Sequence, residues 1–133
     1  ICQGDPHIFT CSIHSESNFP FEKKKGWMDV GLPAGTKDDV YLDVLSKTLQ
    51  SIERSLIPDL VLFDAGVDVY LGDGLGNLEL SIEGIRKRDR LVLEHYRGKN
   101  IPVATVIGGG YSKDTQELAH RHGLIFESAI HYL

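Results

Sequence analysis

The chain has 133 residues, a net charge of −5 and 41% hydrophobic residues, a composition typical of one soluble globular domain. This acidic balance offers no basic face for nucleic acid, and no apolar run approaches the roughly 20 residues that a membrane helix needs. Cys2 and Cys11 do not have the spacing of a disulfide framework or of a Cys-x-x-Cys motif, so we expect a reduced, cytoplasmic-type compartment.

The first part of the chain is predicted to hold one strand, a long loop and a helix. Residues 7–13 alternate between apolar and polar side chains, which indicates a strand. Residues 15–35 are rich in glycine, proline and asparagine, which predicts a loop, and we expect Phe21 and Trp27 to fix it to the core. Thr36 is suited to cap a helix whose apolar residues recur at three- and four-residue spacing until a proline ends it.

A short apolar run over residues 60–63 leads directly into a loop with three carboxylates. Because a proline and several glycines bound it, the run is typical of a buried parallel strand. Ligands bind just beyond the carboxyl ends of such strands, whereas a carboxylate buried inside the sheet is costly unless it is paired. We therefore expect Asp68 to face a ligand, and at least one of Asp64 and Asp73 to cap a turn or the next helix.

Two more helices and one more strand are predicted after this loop. Ser81 is suited to cap the first helix, and the charged run 86–90 is predicted to be its solvent-exposed face. Residues 102–107 predict a second buried strand, which leads into three glycines and a tyrosine. The last helix is predicted to end at Gly123, before a short strand at residues 125–126. This order predicts one α/β domain, a parallel sheet with flanking helices and right-handed crossovers.

Three loops are predicted to meet at one edge of this sheet: the loop after Ile13, the loop with Asp68 and the loop with Tyr111. A carboxylate, a tyrosine and a glycine run suit metal-assisted or acid-assisted attack on a polarised carbonyl. The competing interpretation is nucleotide binding, because Gly-x-Gly-x-Gly follows a strand at residues 72–76 and a helix follows the glycines at 108–110. That signal is weak, because its third glycine does not have the spacing of the dinucleotide motif and the chain has no Gly-Lys-Ser/Thr sequence of a P-loop.

Five motifs together carry a resemblance to a known family. They are F-T-C-S-I-H (9–14), N-F-P-F (18–21), P-D-L-V-L-F-D-A-G-V-D (58–68), G-D-G-L-G-N-L-E-L-S (72–81) and G-G-G-Y (108–111). In this order and spacing they resemble the zinc-dependent histone deacetylases of the arginase–deacetylase superfamily, nearest its bacterial and class IV branch. The resemblance covers residues 1–133 as the C-terminal part of the catalytic domain. It implies an arginase/deacetylase-like sheet that is incomplete, without the N-terminal half, and a chain that is a piece of a longer protein.

The resemblance implies hydrolysis of an N-acetyl amide, typically acetyl-lysine, by a zinc-activated water. Asp68 stands where the family has its second aspartate ligand to zinc, and Tyr111 matches the tyrosine that stabilises the oxyanion. Ser12 and Ile13 match positions that help to hold a structural potassium ion, through a hydroxyl and a backbone carbonyl respectively. The family's Asp-x-His zinc ligands and its general-base histidine pair precede the matched region.

The same resemblance implies a channel for the acyl-lysine side chain. Phe19 resembles its aromatic wall, and Gly109 and Gly110 resemble its glycine side. The expected partners are an acetylated lysine in a protein or peptide, or a small acetyl amide, with no direct nucleic acid and no membrane. The expected location is the cytoplasm, or also the nucleus in a eukaryote.

Two other functions stay open. One carboxylate cannot hold a catalytic zinc, which typically needs three protein ligands, so we expect residues 1–133 alone to be inactive. The chain could then be a non-catalytic remnant or interaction module that kept the sheet without the chemistry. Alternatively, an acetylpolyamine-type amidohydrolase would use the same scaffold, and Glu16 is the one obvious acidic residue for binding a polyamine cation.

Overall fold

A computed structural model describes residue 2 and residues 4–132 of the chain. The elements in chain order are β1 (Cys11–Ser15), β2 (Met28–Leu32), α1 (Asp38–Ser55), β3 (Val61–Asp64), α2 (Ile82–Arg97), β4 (Val103–Val106) and α3 (Thr115–Ala129). A single 3-10 turn, Ile130–Tyr132, follows α3. The α/β class predicted from the sequence is therefore confirmed. No helix in the part of the chain that the structure describes combines the length and hydropathy needed to cross a membrane.

The described strands form two separate parallel pairs, β1 with β2 and β3 with β4. Ile13 lies opposite Val30 in the first pair, and Phe63 lies opposite Thr105 in the second. The prediction of one loop over residues 15–35 is wrong, because β2 lies within it. Its short M-D-V-G-L sequence stands between turn-forming residues and has no clear strand pattern of its own, and it forms a strand by pairing with β1.

Helices cover the β3–β4 pair on one face only. Along both strands, exposed residues alternate with partly buried ones, and Leu62 on the outer face is 78% exposed. The prediction that these strands are buried on both faces is therefore wrong within the described residues. The inward face packs on the core, in which α2 contacts both α1 and α3. The fully buried side chains at its centre are those of Leu80, Ile85 and Leu124.

Ser81 caps α2, as predicted, and also joins that helix to α1. Its hydroxyl oxygen accepts the Gly84 amide at 3.0 Å and donates to the Asp38 carboxylate at 2.6 Å. Asp38 also accepts the Ser81 amide at 2.8 Å, so the two helix N-termini are bound together. The prediction that Thr36 caps α1 is wrong, because the capping position is Lys37 and the Thr36 hydroxyl instead donates to the Pro33 carbonyl.

Two predictions about the later helices are also wrong. The charged run 86–90 is not entirely a solvent-exposed face, because Arg88 and Asp89 are buried against each other, with Arg88 Nε donating to Asp89 Oδ1 at 2.9 Å. The helix α3 continues through Gly123 to Ala129, so residues 125–126 are helical. Packing of Leu124 and Ile125 in the core stabilises the helix beyond the glycine.

The continuation of α3 predicts the effect of a Gly123→Ala substitution. A Cβ atom at this position meets no atom within 4 Å, and alanine favours a helix interior over glycine by about 1 kcal/mol. We expect Gly123→Ala to raise the free energy of unfolding by about 0.5–1 kcal/mol in urea denaturation. The control is Gly84→Ala, whose Cβ would collide with the Asp38 carboxylate and should destabilise the protein. Destabilisation by Gly123→Ala would instead favour a helix that ends at this glycine.

Candidate active site

The loops that follow β3 and β4 stay paired beyond the ends of the strands. The Ala65 amide donates to the Val106 carbonyl, and the Val67 amide donates to the Gly108 carbonyl, both at 2.9 Å. These bonds carry the backbone of both segments past the sheet edge before they diverge. Asp68 and the glycine run at residues 108–110 therefore lie side by side, as the convergence of loops predicted.

Gly109 lies directly against the Asp68 carboxylate. A Cβ atom at Gly109 would come within 2.5–2.8 Å of the three carboxyl atoms of Asp68, and the φ angle of Gly109 is +58°. Gly110 has a φ angle of +92°, and a Cβ there would meet Val67 and Leu118 at 2.7 Å. Both the available space and the backbone angle require glycine at these two positions. The close approach of the two loops thus depends on the glycines.

Asp68 lies in an environment that disfavours its charged form. The carboxylate is half-buried, and this burial, together with the negative charges of Asp73 and Asp64, raises its pKa above the usual value. A hydrogen bond from the backbone amide of Asp68 itself and, to a smaller extent, the positive charge of Arg88 oppose this rise in pKa only in part. A carboxylate in such surroundings is stabilised by gaining a cation or a proton. The position and charge of Asp68 are therefore suited to binding a cation.

The environment of Asp73 favours its charged form, unlike that of Asp68. Asp73 also caps a turn, as we expected for at least one of Asp64 and Asp73. Its side chain is fully buried, which alone would raise its pKa. One oxygen accepts the amides of Leu75 and Gly76 at 3.0 and 2.9 Å, and the other accepts the Tyr111 amide at 2.7 Å. These bonds and the nearby Arg121 outweigh the burial and lower the pKa of Asp73.

A cavity of about 390 Å³ lies beside Asp68 and is bounded by β1, α1, β3 and α2. Ser12 and Ile13 line it from β1, and Asp64 and Asp68 line it from the end of β3. The Ser12 hydroxyl lies 2.9 Å from Nδ1 of His14. The two positions predicted to hold potassium thus share a cavity with the predicted zinc ligand.

Phe19 stands on an exposed loop that is fastened to the carboxylate loop. The side-chain amide of Asn18 donates to the Leu75 carbonyl at 3.0 Å, next to the turn that Asp73 caps. Phe19 packs edge-to-face on Phe21, with ring centroids 6.3 Å apart. The prediction that Phe21 and Trp27 fix this loop to the core is wrong, because they are 84% and 59% exposed. Aromatic residues pack on each other here, and Trp27 stacks on Phe9.

The side chains of two buried arginines donate hydrogen bonds to the loops of this site, and the sequence did not lead us to expect either of them. Arg88 donates to the Gly66 carbonyl at 2.5 Å, and Nη1 of Arg121 lies 3.5 Å from the Val67 carbonyl and 3.3 Å from Asp73. Arg88 stands in the charged run 86–90, which was predicted to be exposed to solvent. Arg121 lies three residues after Leu118 and four before Ile125. That helical spacing places it on the apolar face of α3, a signal that could have identified it.

The residues that the structure describes do not fit a complete zinc site. Among the described residues there is no group of three or more histidine, cysteine, aspartate or glutamate side chains that could hold a metal ion. A catalytic zinc ion takes three protein ligands. Asp68 can supply one of them, so the described residues alone do not support a metal-dependent step.

The comparisons with known proteins agree on one family. Residues 1–124 match the model of the histone deacetylase domain. An uncharacterized protein of Picosynechococcus sp. is 46% identical, over 97% of this chain and 43% of its own length. Histone deacetylase 2 of Arabidopsis thaliana is 34% identical, over 91% of this chain and 34% of its own length.

A solved structure of a histone deacetylase homologue from Aquifex aeolicus is 28% identical, with a TM-score of 0.71, over 91% of this chain and 35% of that one. The arginase/deacetylase-like fold inferred from the sequence motifs is thereby confirmed. The chain spans less than half the length of each of these relatives. With a family match over nearly all of its residues, the chain belongs to the histone deacetylase family.

Proposed function

We propose that the full-length protein containing residues 1–133 is a zinc-dependent deacetylase, which hydrolyses N-acetyl-lysine or a related acetyl amide. The observation that carries this proposal is the contact of Gly109 with the Asp68 carboxylate. This contact brings the Asp68 carboxylate, whose environment favours a bound cation, and the loop of Tyr111 to the same edge of the sheet. Membership of the histone deacetylase family supports the same reaction class.

Asp68 is proposed as one zinc ligand, and the remaining ligands are proposed to lie outside residues 1–133. Its raised pKa supports this role, because a bound cation removes the cost of holding the carboxylate charged and half-buried. Bound by Asp68 and those further ligands, a zinc ion would lower the pKa of a water molecule for attack on an amide carbonyl. We therefore propose that residues 1–133 alone are inactive.

Tyr111 is proposed to donate its hydroxyl hydrogen bond to the substrate carbonyl oxygen. Its side chain is 53% exposed, while its backbone is fixed by the Asp73 carboxylate and the Gly74 amide. As water adds to the carbonyl carbon, negative charge grows on that oxygen, and a donor aimed there stabilises the transition state. Cleavage of the C–N bond, with a proton of the attacking water passing to the amide nitrogen, then releases acetate and the amine.

The other proposed site residues surround this pair. Phe19 is proposed as an aromatic wall of the acyl-lysine channel, and its loop is tied to the carboxylate turn through Asn18. Gly109 and Gly110 are proposed to form the opposite side. Ser12 and Ile13 are proposed to help to bind potassium, which their position on the cavity beside Asp68 supports.

The ligand role of Asp68 predicts that Asp68→Asn abolishes zinc binding and turnover in the full-length protein. The amide lacks the negative charge that zinc prefers. Metal content by mass spectrometry and acetate release would be measured together, with the exposed Asp59→Asn as a control that keeps both. Near-normal zinc content and activity in Asp68→Asn would remove this residue from the site.

The oxyanion role of Tyr111 predicts that Tyr111→Phe lowers kcat by roughly 10²–10³-fold, the usual loss for one oxyanion donor. Zinc content should not change, because the hydroxyl is not proposed as a ligand. The control is Tyr132→Phe, because this tyrosine lies in the 3-10 turn after α3 and packs against the cluster of Ala65, Leu93 and Ile125. An unchanged kcat in Tyr111→Phe would show that the tyrosine is structural.

A further inference from the structure

The loops of Asp68 and Tyr111 come from different strands, and one buried carboxylate joins them. Asp73 lies in the β3 loop, yet its second oxygen accepts the Tyr111 amide of the β4 loop at 2.7 Å. The next residue, Gly74, donates its amide to the Tyr111 carbonyl at 3.1 Å. Both backbone polar groups of Tyr111 are therefore bound by two consecutive residues of the other loop.

Arg121 extends this link to the backbone beside Asp68. Its side chain is 1% exposed, and Nη1 lies 3.3 Å from Asp73 and 3.5 Å from the Val67 carbonyl. Its Nε lies 3.0 Å from Glu117, and its guanidinium stacks on the Tyr70 ring at 4.7 Å. Because Arg121 is held from several sides, it can fix Asp73 and Val67 relative to each other.

We propose that the buried Asp73–Arg121 pair positions Tyr111 relative to Asp68. This inference rests on the proposed function for the roles of Asp68 and Tyr111. Neither Asp73 nor Arg121 touches the substrate in the proposal, so both are positioning residues. A carboxylate is needed at position 73 because each of its two oxygens accepts backbone amides, from Leu75 and Gly76 on one side and from Tyr111 on the other.

Asp73→Asn tests the link directly, because asparagine has one acceptor oxygen instead of two. Whichever way the amide is turned, a backbone N–H of one loop faces an NH₂ group. We expect hydrogen exchange of the amides at Tyr111 or at Leu75 and Gly76 to accelerate roughly 10- to 100-fold, because one charge-assisted hydrogen bond that protects them is lost. We also expect kcat to fall at least tenfold while KM changes little, since substrate contacts remain.

Ser81→Ala is the matched control, because it removes the cap of α2 and destabilises the protein without removing any of the hydrogen bonds described above for Asp73, Arg121 and Tyr111. It should leave both Tyr111 amide exchange and kcat near the wild-type values. Arg121→Met is the second variant, and it keeps the three amide bonds to Asp73 while removing the positive charge. If Asp73→Asn does not fold, Arg121→Met should still accelerate Tyr111 amide exchange and lower kcat.

The exchange readout separates this inference from the proposed function. The expected result is lower kcat together with faster exchange, at Tyr111 or at Leu75 and Gly76 in Asp73→Asn and at Tyr111 in Arg121→Met. Exchange that stays at wild-type rates in both variants would overturn the positioning role, even if Tyr111→Phe were inactive. Faster exchange with unchanged kcat would also overturn it, because the link would then hold a loop that catalysis does not need.

Discussion

The arrangement of the site depends on a single carboxylate, that of Asp73, which is buried between two loops. An unpaired charge in such a place would be costly, but three backbone amides and Arg121 surround it. A buried ion pair is not in itself strong evidence of stability, since desolvation opposes the attraction. Its consequence here is geometric, because the amides that satisfy Asp73 belong to loops that leave different strands.

Asp68 and Asp73 show how one loop holds two carboxylates in opposite states. Hydrogen bonds lower the pKa of Asp73, whereas burial and neighbouring negative charges raise the pKa of Asp68. Arg88 and Arg121 donate to the consecutive carbonyls of Gly66 and Val67. Asp68, the next residue, does not have the set of amide and arginine donors that surrounds Asp73 among the hydrogen bonds of the described residues. The Asp73 carboxylate is thus satisfied by groups of the chain itself, and the Asp68 carboxylate is the one proposed to bind a cation. Divergent environments of this kind are typical of functional sites.

Much of the fold could be predicted because its signals are local. The run at residues 60–63, the Ser81 cap and the strand near residues 103–106 each agree with the structure to within a few residues. The elements that failed depend on distant partners. Met28–Leu32 is a strand only beside β1, and α3 passes Gly123 because the core holds its last turns. For the site, Asp68, Tyr111 and the glycines came from family motifs. The spacing of Arg121 on the apolar face of α3 is a local signal of its burial, whereas the role of Arg88 required tertiary contacts that no local pattern shows.

The most direct test of the account is the release of acetate from an N-acetyl-lysine peptide by the full-length protein, measured before and after removal of metal with a chelator. Activity is expected to disappear with the metal and to return when zinc is added, because Asp68 is proposed to bind that ion. Acetate release that is insensitive to chelation, or no release from protein fully loaded with zinc, would contradict it.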